Sequence, residues 1–264
     1  MSEPTVTFES ADGAAVITLN RPDRLNAWNR EFGQELLTAV ERARDDEGVR
    51  AVMITGAGRA FSSGADLREQ RETDDESGIP DLGARLRELY HPILLGIREM
   101  PKPVLATVNG PAVGIGCSLA LAADLVVARE SAYFLLAFVN IGLVPDGGSS
   151  LLVPERVGLA RANEMAMLGE RIPARQALEW GLINRVAPDE EFDRVVDELA
   201  GRLAAGPTGA YAGIKQQLNA WLFGRMDEQL ELEASLQQRS AASGDFQEGV
   251  QAFLEKRPAA FAGR

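Results

Sequence analysis

Residues 103–124 read PVLATVNGPAVGIGCSLALAAD. The run PVLATV ends at Asn109-Gly110, and an apolar helical pattern opens at Gly114 and Gly116. That is a buried strand, a turn and a buried helix. Residues 51–70, AVMITGAGRAFSSGADLREQ, follow the same plan: AVMIT ends at Gly56, and Gly64-Ala65-Asp66 leads into a short helix. Glycine permits close backbone approach, and the first amides of a helix have no acceptor within it. Two such turns can aim their helix starts at one point, which is the geometry of an oxyanion hole. Taken alone, Asp66 reads equally well as a helix cap. The glycines lack the dinucleotide-binding spacing, and no suitably placed acid follows a strand downstream.

Toward the N-terminus, VTFES and AAVITLN alternate as two strands joined at Asp12-Gly13, and REFGQELLTAVERARDD has helical spacing. Toward the C-terminus, DLVVA is a further strand. Strands alternating with helices predict an α/β fold. Between the early strands and PVLATV, the acidic stretch REQRETDDESGIPDLG reads as a mobile surface loop or a lid. From about Ala160 onward the pattern is helical with one strand at most, LINRV. Residues 1–200 are therefore expected to form the core and residues 201–264 a helical oligomerisation region, since apolar stripes on such a tail often bury against a neighbouring subunit.

With 264 residues the chain can bury a large core. Its formal charge of −12 argues against nucleic-acid binding. No segment approaches the roughly 20 apolar residues of a membrane span and no signal peptide is evident, so a cytoplasmic protein is expected. The single cysteine, Cys117, cannot form an internal disulfide, and the single histidine, His91, reads as a surface or cap residue. No metal site is expected. An anionic ligand would need local basic groups, for which Arg21, Arg24, Lys256 and Arg257 are candidates.

A third segment, residues 131–158, SAYFLLAFVNIGLVPDGGSSLLVPERVG, sets Asp146 in apolar surroundings. Such an acid is a candidate for a raised pKa and for proton transfer near neutral pH, or else it caps the helix that follows.

Together VITLNRPDRLNAWN, AFSSGADL, PKPVLATVNGPAVGIGCSLALAADLVVA, FVNIGLVPDGGSS and FQEGVQAFLEKRPAAF resemble the crotonase (enoyl-CoA hydratase/isomerase) superfamily along nearly the whole chain. The resemblance implies a spiral of strand-strand-helix repeats with a helical C-terminal region, assembled as a homotrimer or a dimer of trimers. It also implies an acyl-CoA substrate, with coenzyme A as part of the substrate and no separate cofactor. By motif position the thioester carbonyl falls between the amides of Ala65 and Ile115, the latter standing where glycine is common. Arg24, Leu25 and the stretch from Phe61 through Ser63 and Asp66 to Leu67 would follow the nucleotide and pantetheine, with Lys256, from a neighbouring subunit, near a phosphate. Leu25 and Phe61 read equally as core, and Arg24 as solvated.

Hydratases of this family use two glutamates, and the matching positions here are Ser118 and Phe138. Asp146 matches the acid of the double-bond isomerases and aromatic-CoA branches. Through IPDLGARLRELYHPI and DFQEGVQAFLEKR the chain is most similar to the 1,2-epoxyphenylacetyl-CoA isomerase subfamily, which implies a place in phenylacetate degradation. The expectation is an acyl-CoA isomerase in which Asp146 shuttles a proton on a thioester enolate. The alternatives are an enoyl-CoA hydratase, an aryl-CoA enzyme with Asp146 as nucleophile, and a catalytically silent acyl-CoA-binding scaffold.

Overall fold

In the computed structural model, which describes residues 3–69 and 78–264, the Asp12-Gly13 turn joins strands β1 (Val6–Ala11) and β2 (Ala14–Leu19). Both turn residues have positive φ, 52° and 80°, which matches the twist of a tight antiparallel hairpin. Asn29 caps α1 (Arg30–Asp45) by accepting from the Phe32 amide, and the chain then forms β3 (Ala51–Gly56), parallel to β2. Helices α2 (Leu82–Arg85) and α3 (His91–Glu99), joined by a wider turn at Leu86–Tyr90, lead to β4 (Val104–Val108). The expected loop at residues 68–83 falls partly on residues 70–77, outside the described ones; from Leu82 it is already helix, with Asp81 accepting from the Ala84 amide.

Next come β5 (Ala112–Val113), α4 (Ile115–Ala122), β6 (Leu125–Arg129) and β7 (Tyr133–Leu135). They are followed by α5 (Ser149–Leu168), β8 (Ile172–Pro173), α6 (Ala174–Glu179) and β9 (Arg185–Ala187). The last third contains α7 (Phe192–Ala205), α8 (Thr208–Leu222), α9 (Met226–Ala241) and α10 (Gly244–Glu255). It differs from the sequence expectation in one respect, since β8 precedes the anticipated β9. A two-residue strand leaves no periodic trace; Phe134 and Ile172 pair only through the folded chain.

The main sheet runs β1-β2-β3-β4-β6-β9 and is parallel beyond the first hairpin. All five residues of β4 are buried, because helices cover both faces. Ala106 and Val108 face the larger core with Trp28, Phe32 and Ile93, whereas Leu105 packs with Phe192, Leu199 and Leu203 of α7. A small sheet, β5-β7-β8, lies beside the site.

Helix α8 is fastened by Lys215, whose Nζ donates to the Ile97 carbonyl at 2.7 Å and to Asp124 at 2.7 Å. On the same helix Ile214, Leu218 and Trp221 are exposed, Trp221 at 86%. In contrast, α9 packs on α2 and α5 of its own chain, and α10 on the turn Val139–Ile141. The C-terminal region thus supplies walls of the chain's own cleft. His91 is buried rather than at the surface, on the inner side of α3, and burial lowers its pKa. No helix among the described residues is long and apolar enough to cross a membrane.

Candidate active site

The two glycine turns are brought together by hydrogen bonds that their strands make possible. Asn109, just after β4, donates to the carbonyls of Gly56 (2.8 Å), the last residue of β3, and Gly58 (2.9 Å), just beyond it. The loops then run side by side: the amides of Phe61 and Ser62 donate to the Pro111 carbonyl at 3.1 and 3.0 Å, and Val113 donates to the Ser62 carbonyl at 2.9 Å. Buried Asn26 secures the first loop from behind, its Nδ2 reaching the carbonyls of Ala60 at 2.8 Å and Phe61 at 3.2 Å.

This pairing sets Gly64 against Gly114. Their φ values are +89° and +54°, and a Cβ on Gly64 would lie 3.0 Å from the Val113 carbonyl oxygen. Glycine is required there by conformation and by space together. The next residues are Ala65 and Ile115, both at the cleft surface. Among the described residues neither amide has an acceptor, and α4 begins at Ile115 with no side-chain cap. Two backbone donors, one of them at a helix start, therefore open into one cleft.

Asp146 reaches the same cleft from the turn before α5. Its backbone carbonyl accepts from the Ser118 hydroxyl at 2.8 Å and the Ser149 hydroxyl at 2.7 Å, which anchors the turn before α5. Of its carboxyl oxygens, Oδ2 accepts from Gln237 Nε2 at 2.9 Å, while Oδ1 is buried without a partner. The side chain does not cap α5. That role falls to Glu233 on α9, whose carboxylate accepts from the amides of Gly148 (2.8 Å) and Ser150 (3.1 Å). Burial raises the Asp146 pKa well above the carboxylate range, and the charge of Glu233 adds to it; the Gln237 hydrogen bond opposes both. Burial likewise lifts Glu233 to about 7, against the bonds from Ser150 and Gly148.

The cleft holds about 650 Å³. Of the residues singled out in the sequence, Arg24, Leu25, Ser63, Ala65, Asp66, Leu67, Ile115, Phe138 and Asp146 line it. Phe61 and Ser118 do not; both are fully buried, Phe61 in the main core and Ser118 behind the Asp146 backbone. Lys256 ends α10 in a left-handed conformation and is not part of the wall within this chain. Arg21 spends its guanidinium on Asp66, at 3.2 Å, and on the Ala27 carbonyl. Arg257 pairs with Glu248 and Glu255 and also borders the cleft.

Sequence reasoning missed Tyr90, Arg85, Glu233 and Gln237. Tyr90 and Arg85 line the cleft together with Gln237, and burial raises the Tyr90 pKa. A signal for the other two existed. The buried stripe of α9 runs Met226, Leu230, Glu233, Ala234, Gln237, Ala241, so a glutamate and a glutamine occupy positions that helical spacing reserves for apolar residues. Among the described residues no cluster of three or more His, Cys, Asp or Glu is placed to hold a metal ion.

A parallel-rich α/β fold, two free amides in facing turns and a helical C-terminal region make this a crotonase-type chain. Residues 9–264 match the family described as Enoyl-CoA hydratase/isomerase, and the chain belongs to that family. It is 47% identical over 264 residues, the whole of both chains, to a "Probable enoyl-CoA hydratase" of Rhodobacter capsulatus. It is 41% identical over 252 residues, 96% of each chain, to the 1,2-epoxyphenylacetyl-CoA isomerase of Escherichia coli. A crystal structure of an enoyl-CoA hydratase from Mycobacterium avium subsp. paratuberculosis superposes with a TM-score of 0.89 at 40% identity, covering 98% of each chain.

Proposed function

We propose that this protein is an acyl-CoA isomerase that moves a double bond, or opens a ring epoxide, through a thioester enolate. The observation that carries the reading is Asp146: a buried carboxyl at the cleft wall with one oxygen unpartnered. Among the other acids of the wall, Asp66 is engaged by Arg21. With the thioester oxygen between the amides of Ala65 and Ile115, the charge that forms on α-deprotonation meets two preset donors. Ionised Asp146 takes the α proton, and the same carboxyl returns it to the γ carbon. No atom is gained or lost, and no water is consumed. A raised pKa suits this exchange, because the acid then gives and takes a proton at nearly matched cost.

Arginines at the cleft, Arg24 and Arg59 among them, suit the phosphates of coenzyme A on an otherwise acidic chain. We place coenzyme A within the substrate, with no further cofactor. The exposed Ile214, Leu218 and Trp221 of α8 suit burial in a homotrimer or a dimer of trimers.

A hydratase is the second reading, favoured by the name of the Rhodobacter relative. Against it stands the pair Ser118 and Phe138, neither of which can activate water: one is sealed behind the wall and the other is apolar. Incubation with a 3-enoyl-CoA and a 2-enoyl-CoA in deuterated water separates the two. Isomerisation with deuterium uptake on carbon and no 3-hydroxyacyl-CoA is expected; rapid formation of 3-hydroxyacyl-CoA would overturn the isomerase reading.

A further inference from the structure

Helix α9 meets Asp146 with two polar side chains four residues apart, Gln237 at its carboxyl and Glu233 at the turn that follows it. Gln237, 1% exposed, spans two acceptors with one amide nitrogen: Nε2 lies 2.7 Å from the Val144 carbonyl and 2.9 Å from Asp146 Oδ2. A carbonyl oxygen can only accept, so Val144 fixes which end of the Gln237 amide faces it. The second hydrogen of that NH2 group is thereby committed to Asp146 Oδ2. A proton on Oδ2 would then point at a donor, which leaves Oδ1 as the only oxygen that can carry it. Oδ1 is also the one without a protein partner.

Four residues earlier, Glu233 is 2% exposed and is fixed by the amides of Gly148 and Ser150. Once ionised, above its own pKa of about 7, it acts on Asp146 in the opposite sense to Gln237. The remaining groups facing Asp146 are accounted for. Ser118 and Ser149 bond its backbone carbonyl, not its carboxyl, and Tyr90 and Arg85, which line the same cleft, make no hydrogen bond to it among the described residues.

We propose that Gln237 and Glu233 are positioning residues of opposite sign, Gln237 assigning the mobile proton to Oδ1 of Asp146 and Glu233 favouring the protonated acid. The inference rests on the proton-shuttle reading above. It goes further in naming the oxygen that works and in placing control of its proton on the C-terminal helix α9, outside the motif that contains Asp146.

The test is the pH dependence of deuterium wash-in at the α carbon of two probes, 3-hexenoyl-CoA and phenylacetyl-CoA, for the full chain and two variants. Gln237→Leu removes the donor to the charged form, so the acidic limb of kcat should move up by about one pH unit with little change in KM. Glu233→Gln keeps an oxygen for one of the two amides, Gly148 or Ser150, and removes the charge, so the limb should move down. A purely structural role would scale the rate equally at every pH and leave both limbs where they are. Loss of rate without displacement of the limb, or displacement of both variants in the same direction, overturns the inference while leaving the shuttle intact. If Gln237→Leu does not fold, Glu233→Gln decides alone, and an unmoved or raised limb overturns the inference. Absence of exchange in the parent protein with both probes removes the shuttle reading, and the inference with it.

Discussion

Ile115 stands at the first position of α4, where a helix makes no use of the backbone N–H. Proline is tolerated at that position for the same reason, and glycine before it accepts the unusual turn. Ile115→Pro therefore replaces that N–H by a ring methylene with little rearrangement of the helix. If that hydrogen holds the thioester oxygen, the loss is about 3 kcal/mol of transition-state stabilisation, a fall in kcat of about a hundred- to a thousand-fold. The side chain is lost as well. Ile115 is 2% exposed, with its Cδ1 against Gly147, so Ile115→Val is the companion variant, expected to cost about 1 kcal/mol of stability and little rate. Steady-state kinetics with a 3-enoyl-CoA and thermal unfolding of both variants supply the comparison. A proline variant that folds and keeps kcat within a few-fold of the valine variant would refute the assignment of this amide.

Gly64→Ala places a Cβ 3.0 Å from the Val113 carbonyl at a φ of +89°, and should cost about 1–3 kcal/mol of stability while separating the two turns and lowering kcat. Gly158→Ala, at a φ of +77° with nothing within 4 Å, carries the backbone strain alone and should leave kcat unchanged. Half-buried Arg156 donates to the carbonyls of Leu121 (2.6 Å), Ala123 (3.1 Å) and Leu182 (3.1 Å), so Arg156→Met should lower the urea stability by about 3 kcal/mol by orphaning them. Glu233, lifted by burial from 4.5 to about 7, keeps its proton in the folded chain where the unfolded chain releases it. Its contribution to stability is thus lost as pH rises across that window, by about 3 kcal/mol. Glu233→Gln should accordingly gain stability relative to the parent between about pH 5 and pH 8; parallel stability curves would contradict this.

Elements that carry their own pattern were legible from the sequence, and elements that exist only through pairing were not. AVMIT and PVLATV are apolar runs closed by glycine, and they became β3 and β4. Strands β5, β7 and β8 have two or three residues each, too few for any period to register. Family membership was legible because the motifs recur in order along the chain. The side of the site formed by α9 was not, because Glu233 and Gln237 lie far along the chain from Asp146 and only the fold brings them to it. Asp146 was open between helix cap and acid for a related reason. The residue that satisfies the start of α5 is Glu233, which no local reading of PDGGSS would supply.

If one carboxyl moves the proton, Asp146→Asn removes the group that carries it while keeping the shape of the cleft wall. Deuterium wash-in at the α carbon of a 3-enoyl-CoA should then fall by about a hundred- to ten-thousand-fold, the range a positioned general base supplies, with affinity for the thioester unchanged within a few-fold. Exchange in the Asp146→Asn variant at close to the parental rate, with binding intact, would contradict the account.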